Sequence, residues 1–250
     1  MGIEKRNIST LMKKRFKTLF FINFTLIALV LSFLVFWQVF SVSLDLLLSI
    51  YLVLAVLYLV ILTKVKQKAD AVDMEYKYLH LLDNKKEPYE INKPLYDQTW
   101  YDHIRSLGFV SYYEGSDYKV FYQYIKTDRS TSVIKNTLIT LVISMGKKTD
   151  FYSDSLDKVH KSILKIDHNN KAKRQIVLQF ENYPVLNKEA KDNAEKIINF
   201  KASGFSIIHL SVAYGSNSNL VYYLDPIRKY PSKHYYYASQ MIKKVVYIDE

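Results

Sequence analysis

From residue 18 to residue 63 the chain carries one charged side chain, Asp45, and only nine other polar ones. As a single helix this stretch would be about 69 Å long, more than twice the ~30 Å hydrocarbon core of a bilayer. It must therefore turn back on itself. Asp45 marks the place, because a carboxylate at mid-bilayer costs about 3 kcal/mol and a turn at the far interface avoids that cost. Ser41-Val42-Ser43-Leu44-Asp45 is then a short connection between spans 18–40 and 46–63, and the chain is expected to enter the bilayer as a two-helix transmembrane hairpin.

The orientation follows from the basic residues beside the spans. Residues 1–17 form a basic tail with Lys5, Arg6, Lys13, Lys14, Arg15 and Lys17 against Glu4, and Lys64, Lys66 and Lys68 follow the second span. The connecting turn has no basic residue. By the positive-inside rule both termini are cytoplasmic in a two-pass cell-membrane protein. Lys13, Lys14, Arg15 and Lys17 are expected against anionic headgroups, at about 1 kcal/mol per charge. Of the net charge of +11, the tail therefore holds +5, Asp45 −1 and residues 64–250 the remaining +7. The basic residues of the whole chain are mostly lysine (29, against 6 arginines), whereas bidentate phosphate and base contacts favour arginine, so nucleic acid is not an expected partner. The absence of cysteine excludes thiol catalysis and thiolate metal sites.

Residues 64–96 read as a helical stalk and linker. Val65, Ala69, Val72, Tyr76 and Leu79 are spaced 4, 3, 4, 3, a heptad seam that either packs on its own domain or pairs two subunits into a homo-oligomer. Asn84-Lys85-Lys86-Glu87-Pro88 and Pro94 make 84–96 a linker.

Residues 97–250 have the composition of a globular domain. Trp100, Ile104 and Leu107 recur at helical spacing and Gly108 supplies a C-terminal cap. Phe109–Tyr113 and Tyr118–Lys126 are aromatic and β-branched runs joined by Glu114-Gly115-Ser116-Asp117, a hairpin. Strand Thr137–Met145, an amphipathic helix over Asp154–His168, strand Gln175–Phe180, a helix over Asn187–Phe200 and strands Phe205–Ala213 and Leu220–Leu224 follow. Ser232 caps a last helix with core face Tyr237, Ala238, Met241, Ile242 and Val245. The order αβββαβαββα predicts a cytoplasmic α+β domain with a mixed sheet.

Two functional readings follow from these residues. The leading αβββαβ run resembles the restriction-endonuclease-like fold in its order of elements. That resemblance implies acidic residues and an acid-x-Lys tripeptide holding a divalent metal; Asp102 and Asp117-Tyr118-Lys119 are the residues that could meet it, as a membrane-tethered nuclease. No phosphate-binding loop, nucleophile elbow or metalloprotease motif is present, so no cofactor or metal is expected. The other feature is tyrosine: 20 of 22 lie after residue 63, with Tyr112, Tyr113, Tyr118, Tyr122 and Tyr124 in one hairpin and Tyr235-Tyr236-Tyr237 opening the last helix. Tyrosine is enriched at interfaces. Tyr112, Tyr122, Tyr124, Tyr235 and Tyr236 are therefore candidate contacts of a non-catalytic module that binds a protein partner or self-associates, the reading favoured over the nuclease.

Overall fold

The computed structural model describes residues 2–39, 43–126, 137–145, 174–196, 206–227 and 231–248. The chain divides into two compact units, Met1–His80 and Leu81–Glu250. In the first unit α1 runs over Gly2–Val39, and α2, Leu44–Asp83, continues just past its end. No glycine or proline occurs between residues 3 and 87, so nothing in either helix interrupts its backbone ladder. The basic tail is consequently helical and continuous with α1, and Asp45 sits in the first turn of α2, where the helix dipole favours a carboxylate.

Two pairings show that the helices lie antiparallel. The hydroxyls of Ser32 and Tyr51 are 2.6 Å apart, and the Tyr58 hydroxyl donates to Asn23 Oδ1 at 3.2 Å. Moving back along α1 thus moves forward along α2. Thr18, Asn23, Thr25, Ser49 and Thr63 turn their side chains back onto carbonyls of the preceding turn. Each polar group in the apolar stretch so treated is satisfied within its own helix. Both helices are long and apolar enough to cross a membrane. Along the heptad seam Ala69 is fully buried, and Val65, Val72, Tyr76 and Leu79 are half-buried.

The second unit is built on a seven-stranded mixed sheet. Its elements are β1 (Tyr89–Glu90), α3 (Gln98–Ser106), β2 (Val110–Glu114), β3 (Tyr118–Lys126), β4 (Thr137–Met145), β5 (Arg174–Tyr183), α4 (Lys188–Ala194), β6 (Ser206–Gly215), β7 (Leu220–Tyr222) and α5 (Lys233–Val245). The strand order is β1-β7-β6-β5-β4-β3-β2, with β4, β5 and β6 parallel and the remaining pairs antiparallel. This is the expected α+β class and mixed sheet. The helix expected over 154–168 and the end of that over 187–200 lie outside the described residues.

Strand alternation and register divide the sheet into two faces. Phe121, Val142, Leu178, Phe180, Leu210 and Val212 share one face. Onto it pack α3, through Trp100 and Tyr101, and α5; the Trp100 indole is 5.4 Å from Phe180 and donates to the Val245 carbonyl at 2.9 Å. The opposite face carries an apolar cluster of Val120, Ile139, Leu141, Ile143, Met145 and Val177. Further along that face, Ala190 and Ala194 of α4 meet Ala213 and Tyr222.

The segment 84–96 is more than a linker, since Tyr89–Glu90 pair with β7 at the sheet edge. A two-residue strand needs support from outside its ladder, and a buried carboxylate gives it. Asp225, 2% exposed, accepts from Lys86 Nζ, the Tyr89 hydroxyl and the Ser239 hydroxyl, with Lys243 Nζ at 3.7 Å. Alongside, Lys85 Nζ lies 3.0 Å from Glu195, which also accepts from Tyr222. Burial works against the charge on Asp225, but Lys86, Ser239, Tyr89 and Lys243 together hold its carboxyl below its usual range. Burial and the neighbouring carboxylate push the Tyr89 phenol up to about 12.

Because the Asp225 pKa is depressed by folding, its contribution is complete above about pH 4 and is lost as the pH falls through the lower folded-state value. Asp225→Asn should cost about 3 kcal/mol, since it leaves Lys86 and Lys243 against a neutral amide, with some of that recovered through the exposure of Lys86. Unfolding of the detergent-solubilised chain between pH 3 and pH 7 reads both effects. An acid limb as steep in the variant as in the wild type would remove Asp225 as its cause.

Candidate interaction surface

The β2–β3 hairpin turns through Gly115-Ser116-Asp117, closed by Gly115 N–H donating to the Tyr118 carbonyl at 3.1 Å. Simple alternation would place Val110 and Tyr113 of β2 on opposite faces. The register contains a bulge instead: Ser111 is opposite Phe121 and Tyr113 opposite Val120, leaving Tyr112 as the extra residue. A bulge adds one residue to one strand and shifts which way its successors point. Val110 (opposite Tyr122) and Tyr113 (opposite Val120) therefore share a face with Tyr118, Tyr122 and Tyr124.

The ring geometry agrees with this assignment. Tyr112 lies 6.4 Å from Tyr122 and Tyr122 lies 5.7 Å from Tyr124, both edge to face, while Tyr113 stacks on Tyr118 at 4.7 Å. The Tyr113 ring also lies across the turn, so close to Gly115 that a Cβ there would meet its hydroxyl at 2.5 Å. Tyr112, Tyr118, Tyr122 and Tyr124 are half-buried against the Val120–Met145 cluster beneath. Tyr113 is 44% and Val110 55% exposed; among the described residues of this unit only Val185 and Ile227 are other large apolar side chains so open. Burial and the neighbouring Tyr113 raise the pKa of the Tyr118 phenol, so it remains a neutral donor at physiological pH.

The hairpin's other face is ionic. The Ser111 hydroxyl and the Arg105 guanidinium hold Glu114 below the usual carboxylate range, and Arg105 also reaches Asp102 at 2.6 Å. Asp102 further accepts from Gln98 at 2.9 Å. Asp117 is exposed in the turn, where the Ser116 hydroxyl reaches it at 3.2 Å. The Lys119 ammonium lies 3.8 Å from the centroid of the Tyr101 ring. Among the described residues no group of three or more histidines or carboxylates could hold a metal.

Of the tyrosines expected at a surface, Tyr112, Tyr122 and Tyr124 come together on the hairpin, joined by Tyr113 and Tyr118. Tyr235 does not belong with them. Ser232 caps α5 through the Tyr235 amide, setting Tyr235 against the sheet at 1% exposure with its hydroxyl donating to the Leu224 carbonyl at 2.8 Å. The core face of α5 is accordingly Tyr235, Ala238, Ser239, Ile242 and Val245, without the expected Tyr237 and Met241. Tyr236 is half-buried on the same helix, across the sheet from the tyrosine face. Lys13, Lys14, Arg15 and Lys17 occupy α1, with the Lys17 ammonium 6.0 Å from the Phe21 ring.

Tyr235→Phe keeps the ring and leaves the Leu224 carbonyl unpaired, so the unfolding free energy should fall by about 1–2 kcal/mol with no change in association. A variant of unchanged stability but weaker association would return Tyr235 to the surface. No family model, curated protein or solved structure matches the chain.

Proposed function

We propose that the chain is a two-pass membrane protein with both termini in the cytoplasm, and that its α+β domain is a non-catalytic module binding a protein partner through the tyrosine face of the β2–β3 hairpin. The observation that carries the reading is the bulge at Tyr112, which gathers five tyrosines and Val110 on one side of an edge hairpin. Tyrosine offers rigid, amphipathic contact area with few rotors to immobilise, so its ordering cost on binding is low. Apolar side chains open to 44% and 55% are what such a surface presents before its partner arrives. An interaction role is also favoured over hydrolysis because Asp102 is paired with Arg105 and the Lys119 ammonium lies over the Tyr101 ring.

Membrane insertion is supported by the same kind of bookkeeping. Of the 30 large apolar side chains exposed among the described residues, 26 lie between Leu11 and Ile61 on α1 and α2. At about 25 cal/mol per Å² that surface is costly in water and stable in hydrocarbon. Lysine and arginine flank both outer helix ends and are absent from the connection, which supports the inward orientation of the termini.

A photo-crosslinking residue placed at Tyr113 of the full chain in its own membrane should give a discrete protein adduct, and one placed at Val185 should not. An adduct at twice 29.4 kDa would identify a second copy as the partner. Equal yields from the two positions, or none from either, would sink the interaction surface. The orientation has its own measurement: a reporter active only in the cytoplasm, fused after Glu250, should be active, and a silent but intact fusion would reverse the topology.

A further inference from the structure

We propose that the second unit binds a small phosphorylated molecule in a cleft of about 370 Å³ formed where α3 and α5 end, its phosphoryl group held by Lys93 and Lys244. The polar lining is Asn92, Lys93, His103, Lys243, Lys244 and Tyr247, and among the described residues no carboxylate lines it. The volume lies within the ~300–1,000 Å³ range of small-molecule sites.

The lysines of this unit are not equivalent. Lys85 and Lys86 are spent on Glu195 and Asp225, and Lys243 shares its charge with Asp225 at 3.7 Å. Lys93 and Lys244 have no carboxylate within ion-pair distance among the described residues. Two lysines without an acid partner among the described residues, lining one concave site beside an amide, are suited to an oxyanion of high charge density, to which lysine binds as a point charge.

Two helix C-termini at an anion site would oppose it through their carbonyl ends. Here those of α5 are occupied. Val245 O accepts from the Trp100 indole, Lys244 O from His103 Nε2 at 2.8 Å, and Lys243 O from the Ile248 amide at 2.9 Å. At α3 the Leu107 amide takes His103 O and the Gly108 amide takes Arg105 O.

Tyr247 is the least expected lining residue. It stands just beyond the last turn of α5 at φ 61°, in a Schellman-type ending completed by its own amide on Lys244 O and that of Ile248 on Lys243 O. That position favours glycine, and a residue with a Cβ costs about 1 kcal/mol there. Its ring stacks on His103 at 4.2 Å and carries the Lys93 ammonium 4.8 Å from its centroid. Backbone strain retained for a side chain that positions a cationic group is a mark of a site.

The test uses the full chain in phosphatidylcholine nanodiscs, with pyrophosphate as probe and calorimetry as readout. Saturable binding that weakens with added salt is expected, and Lys93→Ala with Lys244→Ala should reduce affinity at least about ten-fold. Lys126→Ala with Lys188→Ala removes the same charge from exposed positions elsewhere and should change affinity less than about two-fold. Tyr247→Gly relieves the backbone, so it folds, and should weaken binding by releasing Lys93. Repeating the titration with phosphatidylglycerol in the disc separates two sources of the same chemistry. Binding that persists points to a soluble phosphorylated ligand, and binding competed away points to a lipid headgroup; either supports the site. Absence of saturable binding in phosphatidylcholine discs, or equal affinity in the wild type and all three variants, overturns it.

Discussion

A single buried carboxylate, Asp225, holds together parts of the second unit that have little else to fix them. Its partners come from three places: Lys86 in the segment leaving α2, Tyr89 in β1, and Ser239 and Lys243 on successive turns of α5. An ionised group removed from water must be hydrogen-bonded and paired or it is expelled, so the carboxylate dictates where each of those side chains stands. That is why a strand of two residues persists at the sheet edge. It is also why α5 lies in one position over the sheet, with Tyr223 bonded to Ser239 and Tyr235 to the backbone beside Asp225. The cleft at the far end of α5 inherits this placement through Lys243.

The two sheet faces at the β2–β3 hairpin do different jobs because of one extra residue. The face carrying Phe121 receives α3, and its rim is closed by Arg105, Glu114 and Asp102. The bulge at Tyr112 keeps Ser111 and Glu114 on that ionic side while sending Val110 and Tyr113 to the other. An unbulged strand would split these aromatic residues between the faces and leave one against the ion pairs. Bulges also disturb the edge ladder, which discourages nonspecific strand addition while leaving side chains available for a specific contact.

Much of this architecture was legible from local pattern. Strands β2 to β6 announce themselves by β-branched and aromatic runs, and α4 and α5 begin where Asn187 and Ser232 accept hydrogen bonds from Ala190 and Tyr235. Gly108 closes α3 at φ 89°, where a side chain would meet Gln123 at 2.7 Å. What was not legible depends on partners far away in sequence. Strand β1 follows a proline in a polar stretch, and only pairing with β7 and the bond to Asp225 identify it. Asp225 stands before Pro226 in the sequence, and nothing local reveals that Lys86, 139 positions away in the chain, is adjacent in space. Tyr235 sits among three consecutive tyrosines, and composition does not say which of them faces the core. The cap at Ser232 does, by fixing the phase of the helix. The bulge leaves no mark at all in Val-Ser-Tyr-Tyr-Glu.

The surplus of lysine acquires a different meaning once its distribution is known. A net charge of +7 on residues 64–250 suggests a diffuse attraction for anything anionic, yet several of these cations are already in use. Lys85 and Lys86 neutralise carboxylates that the fold has buried, and Lys119 and Lys191 lie over the rings of Tyr101 and Tyr222. The two cations paired with carboxylates contribute little to the field outside, because their field lines end on an opposite charge a few ångströms away, whereas a lysine over a neutral ring keeps its charge. Lys93 and Lys244 are the contrasting case: they share one cleft, face no acid among the described residues, and stand beside a tyrosine held in a costly backbone conformation. Total charge therefore says less about anion recognition than the few cations left unmatched in a concave site with low-dielectric walls, where a small excess of charge is focused.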